Sequence, residues 1–483
     1  MFASWGVPSF WQEVEYCVDV GEGFSCYFED KLRSWKGKSA TGFLASLFDE
    51  PSVVIFVPWT LGITDGHIVE GFKVWDLLRR AEHYVLEAAR NTNYVPCGEE
   101  CVRCIALPAI GVFKDEKEII WRFRGGLGFL HAGSFLKALD TMTDSRPEII
   151  LLDLSHGMNY IPAILRDSIE LAVLLYASSL KKGKVAFLVF NSDPVREKGE
   201  RAYVHLVEGF ELTPSLARAM LWNKITWTLT SSRKARLYRF LESEHAREIA
   251  RVYGERIKKF DKYFDVSRRV LTAIRNGLVL YLAQYLPADV EALASYSENL
   301  KSDLMIYEED ENWCHVETGD GFINVNMLID VNREASCVYA LASLLKALDR
   351  GLKLGPDICI KNLKELAEAY SFSSLMKVIA SSELSNVEAR VKTLAAKCFD
   401  DEITSYIPYY QVYDATWFAR GSVEADCKKL KEAVEGPVDS RNFLAHAGLE
   451  KNLIEVRYVS NEVYIRYRDR GMVDNVLRKL GFI

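Results

Sequence analysis

No stretch of the chain reaches the roughly 18 consecutive apolar residues that a membrane-crossing helix needs, and the opening Met1-Phe2-Ala3-Ser4-Trp5-Gly6 lacks the basic start and cleavage site of a secretory signal. Both absences point to a soluble protein of the cytoplasm without a membrane partner. An excess of positive charge is also missing: 60 Lys and Arg stand against 67 Asp and Glu, a net charge of -7. That balance argues against a cationic coat for indiscriminate DNA binding. The glycines form neither a Walker A loop nor a G-x-G-x-x-G fingerprint, which disfavours ATP or NAD as a turnover substrate. Internal repeats are absent, and the ten cysteines are too scattered for a secreted disulfide scaffold.

What is present is a globular composition, 49% hydrophobic and 26% charged over 483 residues. At roughly 100 to 200 residues per domain, that length predicts two to four domains. The first 200 or so residues alternate apolar β-rich runs with helical patterns, the signature of βαβ units around a mostly parallel sheet. Val53 to Val57, Val102 to Leu107, Glu148 to Leu154 and Lys184 to Phe190 read as buried strands, with Phe2 to Ser4 as a further one. Trp11 to Asp19 and Gly23 to Glu29 read as a strand pair. Helical stretches run from Glu70 to Arg90, Gly133 to Thr143 and Ile161 to Lys181. From Pro214 to Leu300 the pattern turns long, charged and helical. A hairpin follows, Trp313 to Thr318 and Phe322 to Leu328 around the turn Gly319-Asp320-Gly321. Helices return over Asn332 to Arg350, Ile360 to Ser381, Asn386 to Phe399 and Ala415 to Glu435, then a strand pair near Glu455 to Tyr467. The fold class is therefore α/β plus all-α, in three parts: residues 1–208, a helical linker with a hairpin over 209–330, and a helical domain over 331–483.

Ligands of open α/β sheets lie beyond the carboxyl ends of the strands, where helix amino termini point. After Glu148 to Leu154 comes Ser155-His156-Gly157-Met158-Asn159, where the glycine permits close backbone approach and His156 and Asn159 offer hydrogen bonds to a phosphate, ribose or base. The same edge carries Trp5-Gly6 and Pro58-Trp59-Thr60, whose tryptophans could stack on bases. Ser39-Ala40-Thr41-Gly42 and Gly125-Gly126-Leu127-Gly128 are candidate anion-binding helix starts.

A second constellation stands near the carboxyl end, Asp439-Ser440-Arg441-Asn442-Phe443-Leu444-Ala445-His446-Ala447-Gly448. Asp439 or Ser440 is a natural N-cap and Gly448 a natural stop. Asn442 and His446, four apart, share a helix face, with Arg441 on the first turn. Such a group suits RNA cleavage by the ribose 2′-hydroxyl: histidine moves protons near neutral pH, and an arginine at a helix start holds the phosphate as charge builds. That chemistry requires no metal.

With both motifs in view, the chain resembles the CRISPR-associated CARF-HEPN ribonucleases of type III systems. Arg441 to Gly448 matches the R-N-x-x-A-H-x-G form of the HEPN motif, Asp153 to Asn159 resembles the D-x-[ST]-H-G-x-N loop of CARF domains, and Ser4-Trp5-Gly6 with Trp11 resembles that family's opening. The resemblance implies a Rossmann-like CARF sensor that dimerises around a cyclic oligoadenylate, most often the tetra-adenylate ring, and a C-terminal HEPN domain. Together with the strand-end reading above, it makes Trp5, Gly6, Ser39, Thr41, Trp59, Ser155, His156, Gly157, Met158 and Asn159 the expected activator contacts. It also implies a composite site in which Arg441, Asn442 and His446 of two chains cut single-stranded RNA without metal or cofactor. A two-fold ring fits an isologous homodimer, or a higher assembly of such dimers, because each loop meets the same atoms twice.

Two features compete. Cys97, Cys101 and Cys104 have the C-x3-C-x2-C spacing of a radical-SAM iron-sulfur loop, although they precede a mid-sheet strand, and a disulfide or buried thiols account for them more simply. Arg233 to Arg269 holds twelve basic residues against six acidic ones. It reads as a solvated helical face, or as the nucleic-acid contact of a ligand-gated regulator without nuclease activity.

Overall fold

A computed structural model describes residues 1–19, 34–48, 51–64, 73–157, 160–195, 197–231, 238–239, 243–348, 355, 357–370, 374–416 and 425–482. Gly23 to Glu29, Met158, Asn159, the expected helix start at Glu70 and part of the basic stretch lie outside them. Two compact units emerge, Met1–Lys262 with Glu298–Ala340 and Tyr263–Ser297 with Leu341–Ile483. The segment read as a helical linker is thus divided between them. Among the described residues no helix is long and apolar enough to cross a membrane.

The first unit is built on eight strands: β1 (Phe2–Ser4), β2 (Val14–Asp19), β3 (Ser34–Gly37), β4 (Val53–Pro58), β5 (Val102–Leu107), β8 (Ile149–Asp153), β9 (Val185–Ser192) and β10 (Arg201–Leu212), with β6 (Gly111–Lys114) and β7 (Ile120–Arg124) leaving the sheet after β5. Their order is β3-β2-β10-β9-β8-β1-β4-β5. From β9 to β5 the pairing is parallel throughout. Every residue of β4 is buried, as expected of a strand covered on both faces. The helices α1 (Ala40–Ser46), α2 (Val74–Ala89), α3 (Gly128–Ser145) and α4 (Ile161–Ser179) connect the strands, and α5 (Pro214–Ser231) packs on α4. Five of the expected strands recur within two residues of their predicted ends, and the one expected from Trp11 to Asp19 begins three residues late, at Val14. One pairing differs: β2 takes β3 as its antiparallel partner.

The expected hairpin forms as β12 (Cys314–Gly319) and β13 (Phe322–Met327). It is not confined to a helical segment, because β13 pairs in parallel with β7 to give a second sheet, β12-β13-β7-β6. The physical reason is burial, since an isolated hairpin is marginal in water. Here Trp121, Phe123, Val325 and Met327 are buried, and Trp313 stacks on Trp59 with ring centroids 5.4 Å apart. A two-residue antiparallel pair joins β11 (Tyr238–Arg239) to β14 (Ile329–Asp330), which follows β13 in sequence. The chain passes between the units within α6 (Ser243–Arg275), α8 (Pro287–Leu304) and α10 (Glu334–Leu348), with α7 (Val279–Tyr285) and α9 (Ile306–Glu309) between these.

The second unit continues with α11 (Ile360–Tyr370), α12 (Ser374–Cys398), α13 (Tyr409–Thr416), α14 (Cys427–Glu432), α15 (Ser440–Ala445) and α16 (Arg470–Lys479). The strand pair expected near Glu455 to Tyr467 forms as β17 (Ile454–Val459) and β18 (Glu462–Tyr467), and two strands that were not expected, β15 (Ile358–Cys359) and β16 (Ile403–Pro408), extend it into a sheet ordered β15-β18-β17-β16. The helix break expected between Ser381 and Asn386 does not occur. Leu384, Val387, Val391 and Leu394 form one buried stripe at helical spacing, and that burial carries α12 through the serines.

Candidate functional site

In the first unit strand order reverses at β1, which lies between β4 and β8, so the crevice beyond β1 and β8 is the place for a ligand. Gly6 donates its backbone N–H to the His156 carbonyl at 2.9 Å. A Cβ on Gly157 would lie 2.0 Å from the Ser4 hydroxyl, so the close approach that this glycine permits is to β1. The His156 Nε2 accepts the Ala40 N–H at 2.8 Å, and its ring stacks on Trp11 with centroids 4.2 Å apart. Burial holds its pKa below the usual histidine value, in keeping with a neutral ring whose Nε2 is an acceptor.

Beneath this loop lies the buried carboxylate of Asp153. It accepts from the Thr41 hydroxyl (2.6 Å), the Ser155 N–H (2.9 Å) and the Ser155 hydroxyl (2.5 Å). Thr41 in turn accepts the Trp5 indole N–H at 2.8 Å. Four residues expected to face a ligand therefore do not: Trp5, Ser39, Thr41 and Trp59 are each 0% exposed. Trp5 and Thr41 brace Asp153, Ser39 caps α1 through the Gly42 N–H, and Trp59 donates to the Ala109 carbonyl. The two expected anion sites are filled from within. At α1 the Ala40 and Gly42 N–H groups serve His156 and Ser39. At α3 the Gly128 and Phe129 N–H groups serve Asp330, whose pKa burial raises to about 6. Ser155, His156 and Gly157 are half-buried.

In the second unit Asp439 caps α15 by accepting the Arg441 N–H at 2.8 Å. The helix ends one residue before His446, whose N–H still bonds to the Asn442 carbonyl. Gly448 closes the turn at φ +83°, and a Cβ there would meet the Tyr467 hydroxyl at 2.8 Å. Arg441 and Asn442 are exposed, and the Arg441 guanidinium makes no ion pair with a described residue. His446 is 48% exposed and places Nδ1 3.0 Å from the Glu383 carboxylate on α12. With Nδ1–H donating to Glu383, Nε2 is the nitrogen left to move a substrate proton.

Asn442 and His446 open into a cavity of about 250 Å³ that Glu383, Arg390, Tyr413 and Lys451 also line. Arg390 and Lys451 each approach the Tyr413 ring, both 4.8 Å from its centroid. None of these four was evident from the motif. The available signal was the polar set Glu383, Asn386 and Arg390 on one face of α12, flanking its apolar stripe.

The cysteine cluster resolves differently from an iron-sulfur loop. Cys97 is bonded to Cys101, and Cys104 stands free in β5 with burial raising its pKa to about 12.

Comparison with known proteins finds two family matches. The model of the CARF domain of CRISPR system endoribonuclease Csx1 matches residues 1–194, and that of its HEPN domain matches residues 373–469. CRISPR system endoribonuclease Csx1 of Methanocaldococcus jannaschii is 28% identical over 225 residues, 44% of this chain and 41% of that protein. The aligned stretch thus spans less than half of the relative's length.

Proposed function

From the CARF–HEPN architecture of Csx1-type CRISPR accessory endoribonucleases, which this chain has, we propose that it cuts single-stranded RNA when a cyclic oligoadenylate binds its α/β unit. The observation that carries this reading is His446, held through Nδ1 by Glu383 at a cavity that Arg390, Lys451 and Glu450 also line. Its Nε2 removes the proton of a ribose 2′-hydroxyl, and the 2′-oxygen attacks the adjacent phosphorus. The bond to the 5′-oxygen breaks, leaving a 2′,3′-cyclic phosphate and a 5′-hydroxyl once a proton reaches the leaving oxygen. Arg441 stabilises the charge that builds on the phosphoryl oxygens, and Asn442 binds the phosphate. Two copies of the chain bring two such motifs together around one RNA, and the facing histidine protonates the leaving group. Tetra-adenylate is the first ring to test, with Ser155, His156 and Gly157 as contacts alongside Met158 and Asn159.

Incubation of the protein with single-stranded RNA and EDTA, with and without cyclic tetra- or hexa-adenylate, tests the whole reading. Ring-stimulated cleavage to cyclic-phosphate ends is expected; absence of stimulation by either ring removes the sensor assignment. Glu383 acts as a positioning residue, so Glu383→Gln is expected to lower kcat by about 10-fold or more with KM for RNA unchanged. A rise in KM at unchanged kcat would instead make Glu383 a substrate contact.

A further inference from the structure

The outer face of the second sheet in the α/β unit carries charge that the proposed function has not used. Along β7, Trp121 and Phe123 point into the core, while Arg122 is half-buried and Arg124 exposed. Side chains alternate across a strand, so both arginines share the opposite face. Together with Ile110, Val112, Gly125 and Tyr160 they line a cavity of about 570 Å³, within the range that holds a small ligand. Among the described residues no carboxylate lines it. Neither arginine makes an ion pair with a described residue, and Arg122 instead packs over the Phe322 ring at 5.3 Å from its centroid. Two uncompensated guanidiniums in one concavity select an anion, and their planar forks suit phosphate oxygens.

Tyr160 ties this cavity to the sensor loop. It lies three residues after Gly157 and opens α4 as its N-cap. Its hydroxyl donates to the Ile110 carbonyl at 2.5 Å and accepts the Ile110 N–H at 3.0 Å. One side chain thereby fixes the first residue leading into β6 against the segment that follows His156.

We infer that Arg122 and Arg124 form a second wall of the activator site, binding phosphodiester groups of the cyclic oligoadenylate whose nearer part rests on Ser155 to Gly157. This inference rests on the sensor reading above and adds to it the residues that grip the ring. The β6–β7 excursion then gives the site its reach, so that a ring spanning the loop and both arginines binds best.

Binding of radiolabelled cyclic tetra-adenylate and hexa-adenylate to the full-length protein tests it, comparing the wild type with Arg122→Ala/Arg124→Ala and, separately, His156→Ala. The double variant is expected to lose roughly 10–100-fold in affinity for the preferred ring, the size of loss for charge-assisted hydrogen bonds, and to show a shallower salt dependence. RNA cleavage without activator and the melting temperature are expected to stay at wild-type values. Restored binding in Arg122→Lys/Arg124→Lys would support a role for the charges themselves. If wild type binds a ring and His156→Ala weakens it while the double variant does not, the second wall is overturned and the sensor reading stands. If wild type binds neither ring, both fall.

Discussion

His446→Ala is expected to lower activator-stimulated RNA cleavage by about 10³-fold, within the range for loss of a positioned acid–base group. The side chain is half exposed and its one described polar contact is Glu383, so its removal leaves no buried group stranded. Melting temperature and activator affinity are therefore expected to match the wild type. Arg441→Ala should fall by a similar factor, because a fixed donor aimed at developing charge contributes on the order of 10²–10³. The two residues act on one transition state, so the double variant should lose little beyond the worse single variant. Measurement of cleavage under saturating activator, with end-group analysis of the product, checks all three. If His446→Ala retains cleavage within tenfold of wild type, the chemistry lies with other residues, and Arg390 and Lys451 beside Tyr413 become the groups to change next.

The parts of this molecule that were legible in its sequence share a physical property: they are contiguous. Val53 to Val57 and Val185 to Phe190 are unbroken apolar runs because both faces of β4 and β9 are covered. Asp439 to Gly448 carries its own cap, charge and stop within ten residues. By contrast, β7 presents Trp121 and Phe123 inward and Arg122 and Arg124 outward, and its partner β13 lies some 200 residues away, so no local pattern announces the pairing. The same holds for Glu383, 63 residues before the histidine it meets. Trp5, Ser39, Thr41 and Trp59 were misplaced for another reason. Polar and aromatic residues at strand ends look alike in sequence whether they satisfy a ligand or one another, and here Asp153, the Tyr94 carbonyl and the Ala109 carbonyl take them. His156 braces α1 through Nε2 while the residue as a whole stays half-buried.

Asp153→Ala is expected to cost the α/β unit about 3 kcal/mol and to remove the response to activator. The carboxylate is 1% exposed and makes no ion pair with a described residue; three donors hold it. Its loss leaves the Thr41 hydroxyl and the Ser155 N–H buried without an acceptor, at about 1–3 kcal/mol each, reduced where the Ser155 hydroxyl turns inward. At roughly 2–4 °C per kcal/mol for a domain of this size, the melting transition should fall by about 6–12 °C. A change under 2 °C would mean that the network contributes no stability. Activation should suffer beyond the loss of stability, because Asp153 ends β8 and anchors Ser155, whose hydroxyl also accepts the Ser192 N–H. Thr41→Val separates a polar cause from a cavity. It keeps the side chain's shape while stranding both the Trp5 indole N–H and one Asp153 oxygen, so a polar origin predicts destabilisation comparable to that of Asp153→Ala. A cavity origin predicts that Thr41→Val melts like the wild type.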